Sequence, residues 1–387
     1  MKISRLSNIP VFIVLILTLL LAVDSIAQTP KPKAVAQTLI KREVEIAARF
    51  APVFYQALGE NKRADYITNF DFDGDWRGDN NWIHTNDENL PLKAFVYYSV
   101  VETETHFFIH YAVFHGRDYK GGELKGAIIS ELIREGAKRA GKYDPTGIAE
   151  ESALAHENDM EGCLVVVEKK GDGDSGQVVY METLRHNTIA KYDAEKTEKE
   201  PEKLRVEDGH PLLYIEPKGH GILALTNEKQ TAGKDVLIYS FKSRADDPEK
   251  IEGSEIGFEL LPIETTLWAR ANDGVDATYG QVQDFGEIAI KLKQTGNSEE
   301  EWRTPLHKIG IAFVGKVGGI NMARPPWGWF DRSRRAETLG VWYFDPAQTI
   351  KGDFKLDESF STAYLRVPFW ANGGKASTEK SARVRKP

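Results

Sequence analysis

Gly162-Cys163-Leu164-Val165-Val166-Val167-Glu168 is a Val-rich apolar run ended by Lys169-Lys170-Gly171-Asp172-Gly173, and it reads as a buried strand. The rest of the chain has to be arranged around it. Extended backwards, this strand carries Asp159 and Glu161 two residues apart, and side chains two apart on a strand share a face. His156 lies three residues before Asp159, in the loop approaching the strand. Two carboxylates and an imidazole converging at a strand end suit a divalent cation. The alternative is a wet, polar strand end without a role. Gln177 to Glu182 returns as a second strand, forming a hairpin that Arg185-His186-Asn187 closes.

Upstream, Ala94 to Val100 and His106 to His115 are rich in aromatic and β-branched residues and read as strands. The second ends at Gly116-Arg117-Asp118-Tyr119. Its His106 and His110, set among aromatics, fit core positions better than metal ligation; Asp118, at the strand's end, is the better candidate ligand. Ala34 to Phe50 has helical spacing and stops before Pro52. Glu123 to Ala140 reads as an amphipathic helix with Ile128, Leu132 and Ile133 on its apolar side, serving as a lid or a crossover. Leu212 to Ile215, Val236 to Phe241 and Glu287 to Lys293 are further strands. His220, between two glycines after one of them, is either a turn filler or a site residue. Arg324 to Asp331 is an aromatic, rigid stretch, a packed plug or a ligand-facing wall. Many short strands with one or two helical insertions predict a mainly β fold, a β-sandwich, with residues 34–372 as a single domain.

The loop Asp71-Phe72-Asp73-Gly74-Asp75-Trp76-Arg77-Gly78-Asp79 places carboxylates at alternate positions, as calcium loops do when they turn them onto a hard cation. It is not an EF-hand, because Gly74 comes too early and no Glu sits at position twelve. It resembles the calcium loops of FG-GAP-type repeats, with Trp76 in place of their second glycine. Asp71, Asp73, Asp75 and Asp79 are the candidate ligands of this second site. The alternative is an acidic surface turn.

The N-terminus carries Lys2 and Arg5, an apolar run from Val11 to Val23, and Ser25-Ile26-Ala27 as an A-x-A-like cleavage site. This predicts a signal peptide over 1–27, a linker over 28–33, and a secreted or periplasmic protein without a transmembrane segment once cleaved. Residues 373–387 are small, polar and basic, the composition of a disordered tail. Cys163 is the single cysteine, so no intramolecular disulfide forms, and its place in the strand reads as core. The net charge of −8 argues against nucleic acid as a partner held by charge. No Gly-rich phosphate loop, G-x-S-x-G elbow or H-E-x-x-H motif is present.

Two stretches together resemble a known family. Tyr111-Ala112-Val113-Phe114-His115-Gly116-Arg117-Asp118, followed by Ala155-His156-Glu157-Asn158-Asp159-Met160-Glu161, is similar to the necrosis-inducing proteins of plant pathogens. These have an aromatic strand ending in aspartate and then a Gly-His-Arg-His-Asp-Trp-Glu heptad. The related vacuolar-protein-sorting-like family carries His-x-x-Asp-Trp-Glu, and Pro326-Trp327-Gly328 and Trp342-Tyr343-Phe344-Asp345-Pro346 also look similar to it. The resemblance implies a β-sandwich with a divalent cation, Ca or Mg, at one end. Asp118, His156, Asp159 and Glu161 match the positions that serve the metal, and His186 and His220 fall on neighbouring loops. Asn158 and Met160 replace the second histidine and the tryptophan of the heptad, and the spacer from Asp118 to His156 is much longer than in the toxins.

Three functions follow as expectations. The first is a secreted cation-binding protein that engages a glycan or lipid head group through the metal. The second is a metal-assisted hydrolase of esters or phosphoesters with His186 or His220 as base. The third is a structural, calcium-stabilised protein whose cation sits in the acidic loop.

Overall fold

The computed structural model describes residues 32–120, 155–171, 173–195, 202–296, 298–318 and 323–372, with isolated helical positions within 128–139. The expected signal peptide, most of the linker and the C-terminal tail lie outside the described residues, as does most of the expected helix 123–140. Of that helix's apolar side, Ile128, Leu132 and Ile133 are exposed rather than packed. The N-terminal helix, α1, spans Pro32–Arg49. No described helix is long and apolar enough to cross a membrane.

The strands are β1 (Val53–Ala57), β2 (Phe95–Glu102), β3 (His106–Asp118), β4 (His156–Lys169), β5 (Gly176–Arg185) and β6 (Thr188–Asp193). There follow β7 (Glu202–Lys203), β8 (Val206–Glu207), β9 (His210–Ile215), β10 (Ile222–Ala224), β11 (Val236–Phe241) and β12 (Glu255–Pro262). These form one mixed sheet in the order β10-β9-β1-β11-β12-β2-β3-β4-β5-β6-β7, with β8 pairing β9. The last five are β13 (Tyr279–Gln283), β14 (Gly286–Lys293), β15 (Glu299–Leu306), β16 (Ile309–Phe313) and β17 (Ala363–Tyr364). They make two small sheets, β13-β16 and β15-β14-β17.

The chain is mainly β, as expected, but its large sheet curls on itself instead of facing a second large sheet. The segment 202–207 shows this. Its β7 end pairs β6, and its β8 end pairs β9, near the opposite end of the strand order. Two residues join those ends, so the sheet must bend into a half-barrel, and β10 accordingly packs against β5. Local alternation does not disclose this architecture, because it depends on parallel pairs between distant segments: β1 with β9, β11 with β12, and β12 with β2.

Every residue of β3 is buried, and β4 is buried from His156 to Val167. Both faces of these central strands are therefore covered. One face sets Phe107, Ile109, Tyr111 and Val113 with Cys163, Val165 and Val167 against Ile46, Ala47 and Phe50 of and beside α1. The Tyr111 hydroxyl donates to the Ala47 carbonyl at 2.6 Å. The other face sets Phe108, Phe114, Met160 and Leu164 against Trp268, Trp327, Trp329, Trp342 and Phe344 from the C-terminal third. Each large side chain so covered contributes roughly 1.5–3 kcal/mol of transfer free energy. His110 belongs to this packing: its Nε2 donates to the Trp342 carbonyl at 2.8 Å, and burial pushes its pKa down to about 4. Cys163 is buried and unbridged, the core residue expected.

Candidate functional site

The site is built where β3 ends and β4 begins. Antiparallel pairing sets Asp118 opposite His156, and His115 opposite Asp159. His156 is thus the first residue of the strand and not part of an approaching loop, which corrects the sequence expectation. On a regular strand His156 and Asp159, three apart, would point to opposite faces. Asn158 removes that obstacle by adopting φ 60°, a left-handed conformation that Asn tolerates better than most residues. Its side chain is pinned by three groups: Nδ2 donates to the carbonyls of Gly78 and Val314, both at 2.8 Å, and Oδ1 accepts from Asn81 at 2.7 Å. The adjacent Glu157 carboxylate turns away and accepts from the Trp82 and Lys316 backbone amides.

A cavity of about 20 Å³ is lined by Asp118, Lys120, His156, Asp159, Glu161, His186 and Arg324, with Trp329 and Met160 as apolar walls. That is space for one water-sized body. The expected cation ligands and His186 therefore meet at a single cavity. His156 Nδ1 donates to the Asn158 carbonyl at 2.7 Å, which fixes the tautomer and turns Nε2 toward Asp118 Oδ2 at 3.5 Å. His186 is presented by a two-residue hairpin turn between β5 and β6 in which it and Asn187 both have positive φ, as a type I′ turn requires. Its backbone N–H donates to Glu161 Oε1 at 3.0 Å, and its Nε2 lies 3.2 Å from Glu216 Oε2.

His220 lies behind the cavity, fully buried, on a turn with φ 49°. Its Nδ1 is 2.9 Å from Asp159 Oδ2 and its Nε2 is 3.2 Å from Asp65 Oδ1. Burial works against a charged ring here, but the two carboxylates outweigh it and push His220 up to about 9. His115 stacks on it, ring centroids 3.7 Å apart and nearly parallel, and stays neutral because burial and its charged neighbour both disfavour a second proton. Asp65 is itself held by the Gly59 amide, the Tyr119 hydroxyl and the Lys218 amide, at 2.6 to 2.7 Å. Sequence reasoning does not find Asp65, a lone carboxylate in a short turn, nor His115's part in the site. The one available signal for His115 was its position on the opposite face of its strand from His110.

The two β4 carboxyls that line the cavity, Asp159 and Glu161, separate electrostatically. Burial works against Asp159's charge, yet His220 and the nearby positive groups hold it well below the usual range. Burial and the Asp159 charge push Glu161 well above it. Glu161 Oε2 is buried with no hydrogen-bond partner. An orphaned carboxylate oxygen, two further carboxylates and an imidazole with its Nδ1 already engaged are a donor set suited to a hard divalent cation. Among the described residues, however, no three His, Cys, Asp or Glu side chains are drawn together as a ready-made metal shell. The Lys120 ammonium lies beside them instead, 2.6 Å from Asp118 Oδ2.

The acidic loop does not line this cavity. Its carboxylates meet donors of their own: Asp71 takes the Asn69 side chain, Asp73 the Asp75 amide and His84, Asp75 the Arg77 amide and Asn80, and Asp79 the Arg77 guanidinium.

Neither a protein-family model nor a curated protein matches the chain. Solved structures of necrosis-inducing proteins show a distant likeness at 12% identity. NLPPya in complex with mannosamine aligns over 60% of this chain and 79% of its own, with a TM-score of 0.30. The non-toxic HaNLP3 protein covers 60% and 80% at a TM-score of 0.28. Necrosis and Ethylene inducing Protein 2, from the causal agent of cocoa's witches' broom disease, covers 57% and 73% at 0.26. Similarity at this level is a remote likeness of chain path and assigns no activity.

Proposed function

We propose that this is a secreted protein that binds a divalent cation, Ca or Mg, through Asp118, His156, Asp159 and Glu161. The observation that carries the reading is the buried, partnerless Oε2 of Glu161 at the wall of a water-sized polar cavity. A buried carboxyl whose second oxygen finds no donor is relieved by a cation. A bound Ca or Mg supplies open coordination positions that accept oxygen ligands, which fits a glycan or lipid head group. Arg324, also at the cavity, adds a fixed positive group that favours an anionic head group. Calorimetric titration of the protein with Ca and Mg tests this. One site per chain is expected in wild type, with at least 100-fold weaker binding in Asp159→Asn and Glu161→Gln. Equal binding in all three would remove the claim.

The hydrolase reading retains one supporting feature. His186 lines the cavity with its side chain about a fifth exposed, whereas both nitrogens of His220 are engaged by carboxylates and its charge leaves no lone pair to act as base. Turnover of ester and phosphoester substrates that is lost in His186→Ala and retained in His220→Asn would favour it over pure binding.

A further inference from the structure

Lys120 follows β3 by two residues, and its side chain turns back into the cavity. Its ammonium lies 2.6 Å from Asp118 Oδ2 and 3.3 Å from His186 Nδ1, and its backbone N–H donates to Asp118 Oδ1 at 2.9 Å. Only 17% of the side chain is exposed. The negative charge of Asp159 also acts on it. The path of its stem is built into the fold at Gly219. A Cβ there would come within 2.2 Å of Lys120 Cε and 2.9 Å of Nζ. Gly219 is not among the glycines held at positive φ, so what it provides is space.

We propose that Lys120 is a tethered cation that competes with the divalent ion for the same carboxylates and so sets the affinity of the site. The inference rests on the cation-binding reading above. The cavity has room for one water-sized body, and two cations on Asp118 repel each other. The carboxylates are fixed on strands, whereas the lysine hangs on a flexible four-carbon stem, so it is the lysine that withdraws when the ion is held. The protein then alternates between a lysine-neutralised state and a metal-bound state, and the doubly charged ion neutralises one more unit of carboxylate charge than the ammonium does.

Two variants separate this from a merely structural lysine. Lys120→Met removes the charge and keeps the apolar stem. Gly219→Ala keeps the lysine and blocks its path. Titration calorimetry with Ca and Mg, with thermal unfolding in EDTA alongside, is the measurement. Both variants should bind the ion at least 10-fold more tightly than wild type. Lys120→Met should also melt lower than wild type in EDTA and recover when the ion is added. If wild type binds the ion and both variants bind it equally or more weakly, the competition is refuted while the site stands. If none of the three binds Ca or Mg, the cation-binding reading fails and the competition with it. Should Lys120→Met not fold, Gly219→Ala decides between the first two outcomes.

Discussion

Asn158 does two things at once, and they are separable by substitution. Its left-handed backbone lets His156 and Asp159 reach one cavity, and its amide ties β4 to the Gly78 and Val314 carbonyls. Asn158→Gly keeps the backbone and loses the ties; Asn158→Ala loses the ties and strains the backbone. Unfolding in denaturant should show losses of about 2 kcal/mol for Gly and about 3 kcal/mol for Ala, the difference being the strain of placing a Cβ at positive φ. Equal losses would mean that the backbone conformation is not imposed. At the same scale, what the sequence discloses has a physical limit. Asp118, His156, Asp159, Glu161 and His186 sit at strand ends and turns that apolar patterning marks, so they can be read. Asp65 and Lys120 sit in a turn and beyond a strand end, where no period exists, and only the folded chain brings them to the cavity.

Among elements, α1 is fastened to β2 by charge as well as packing. Arg42 makes a two-pronged contact with Glu102 at 2.7 and 2.9 Å and also reaches Asp174 in the β4–β5 turn, while Lys169 stands 3.1 Å from Glu102. Burial works against the Glu102 charge, but Arg42 and Lys169 outweigh it and hold its pKa down to about 2, from an ordinary 4.5. The depressed value means that this contribution is complete above about pH 4.5 and is lost as pH falls toward 2. We expect Glu102→Gln to cost about 2 kcal/mol at pH 7, allowing for the partial exposure of Arg42, and to flatten the acid limb of the stability profile between pH 4.5 and 2. An unchanged acid limb would show that the pair adds nothing. The β4–plug contact is tested by Gly162→Ala. A Cβ there would lie 2.3 Å from both the Trp329 ring and the Tyr111 carbonyl, so a loss of about 2–3 kcal/mol is expected, with a shift in tryptophan fluorescence as Trp329 is displaced from the cavity wall.

For the molecule as a whole, β2, β3, β4, β5, β9, β11 and β14 lie close to where alternation places them, because burial on a strand is a local pattern. Their assembly is not local. The curl of the large sheet follows from parallel pairs such as β12 with β2 and from the strap 202–207, and no short-range signal encodes either. Charge is likewise distributed over distance: the cavity draws residues from β3, β4, the β5–β6 turn and the segment after β16. A cation held there would couple these elements, and at 100 times its dissociation constant it would add about 2.7 kcal/mol to global stability. The measurement that bears most directly on the cation site is therefore thermal unfolding in EDTA and after addition of Ca or Mg, on wild type, Asp159→Asn and Asp73→Asn. The ion should raise the melting temperature of wild type and Asp73→Asn by a few degrees and leave Asp159→Asn unmoved. An ion effect that survives in Asp159→Asn and disappears in Asp73→Asn would place the metal in the acidic loop, and a wild type indifferent to every ion would contradict the site altogether.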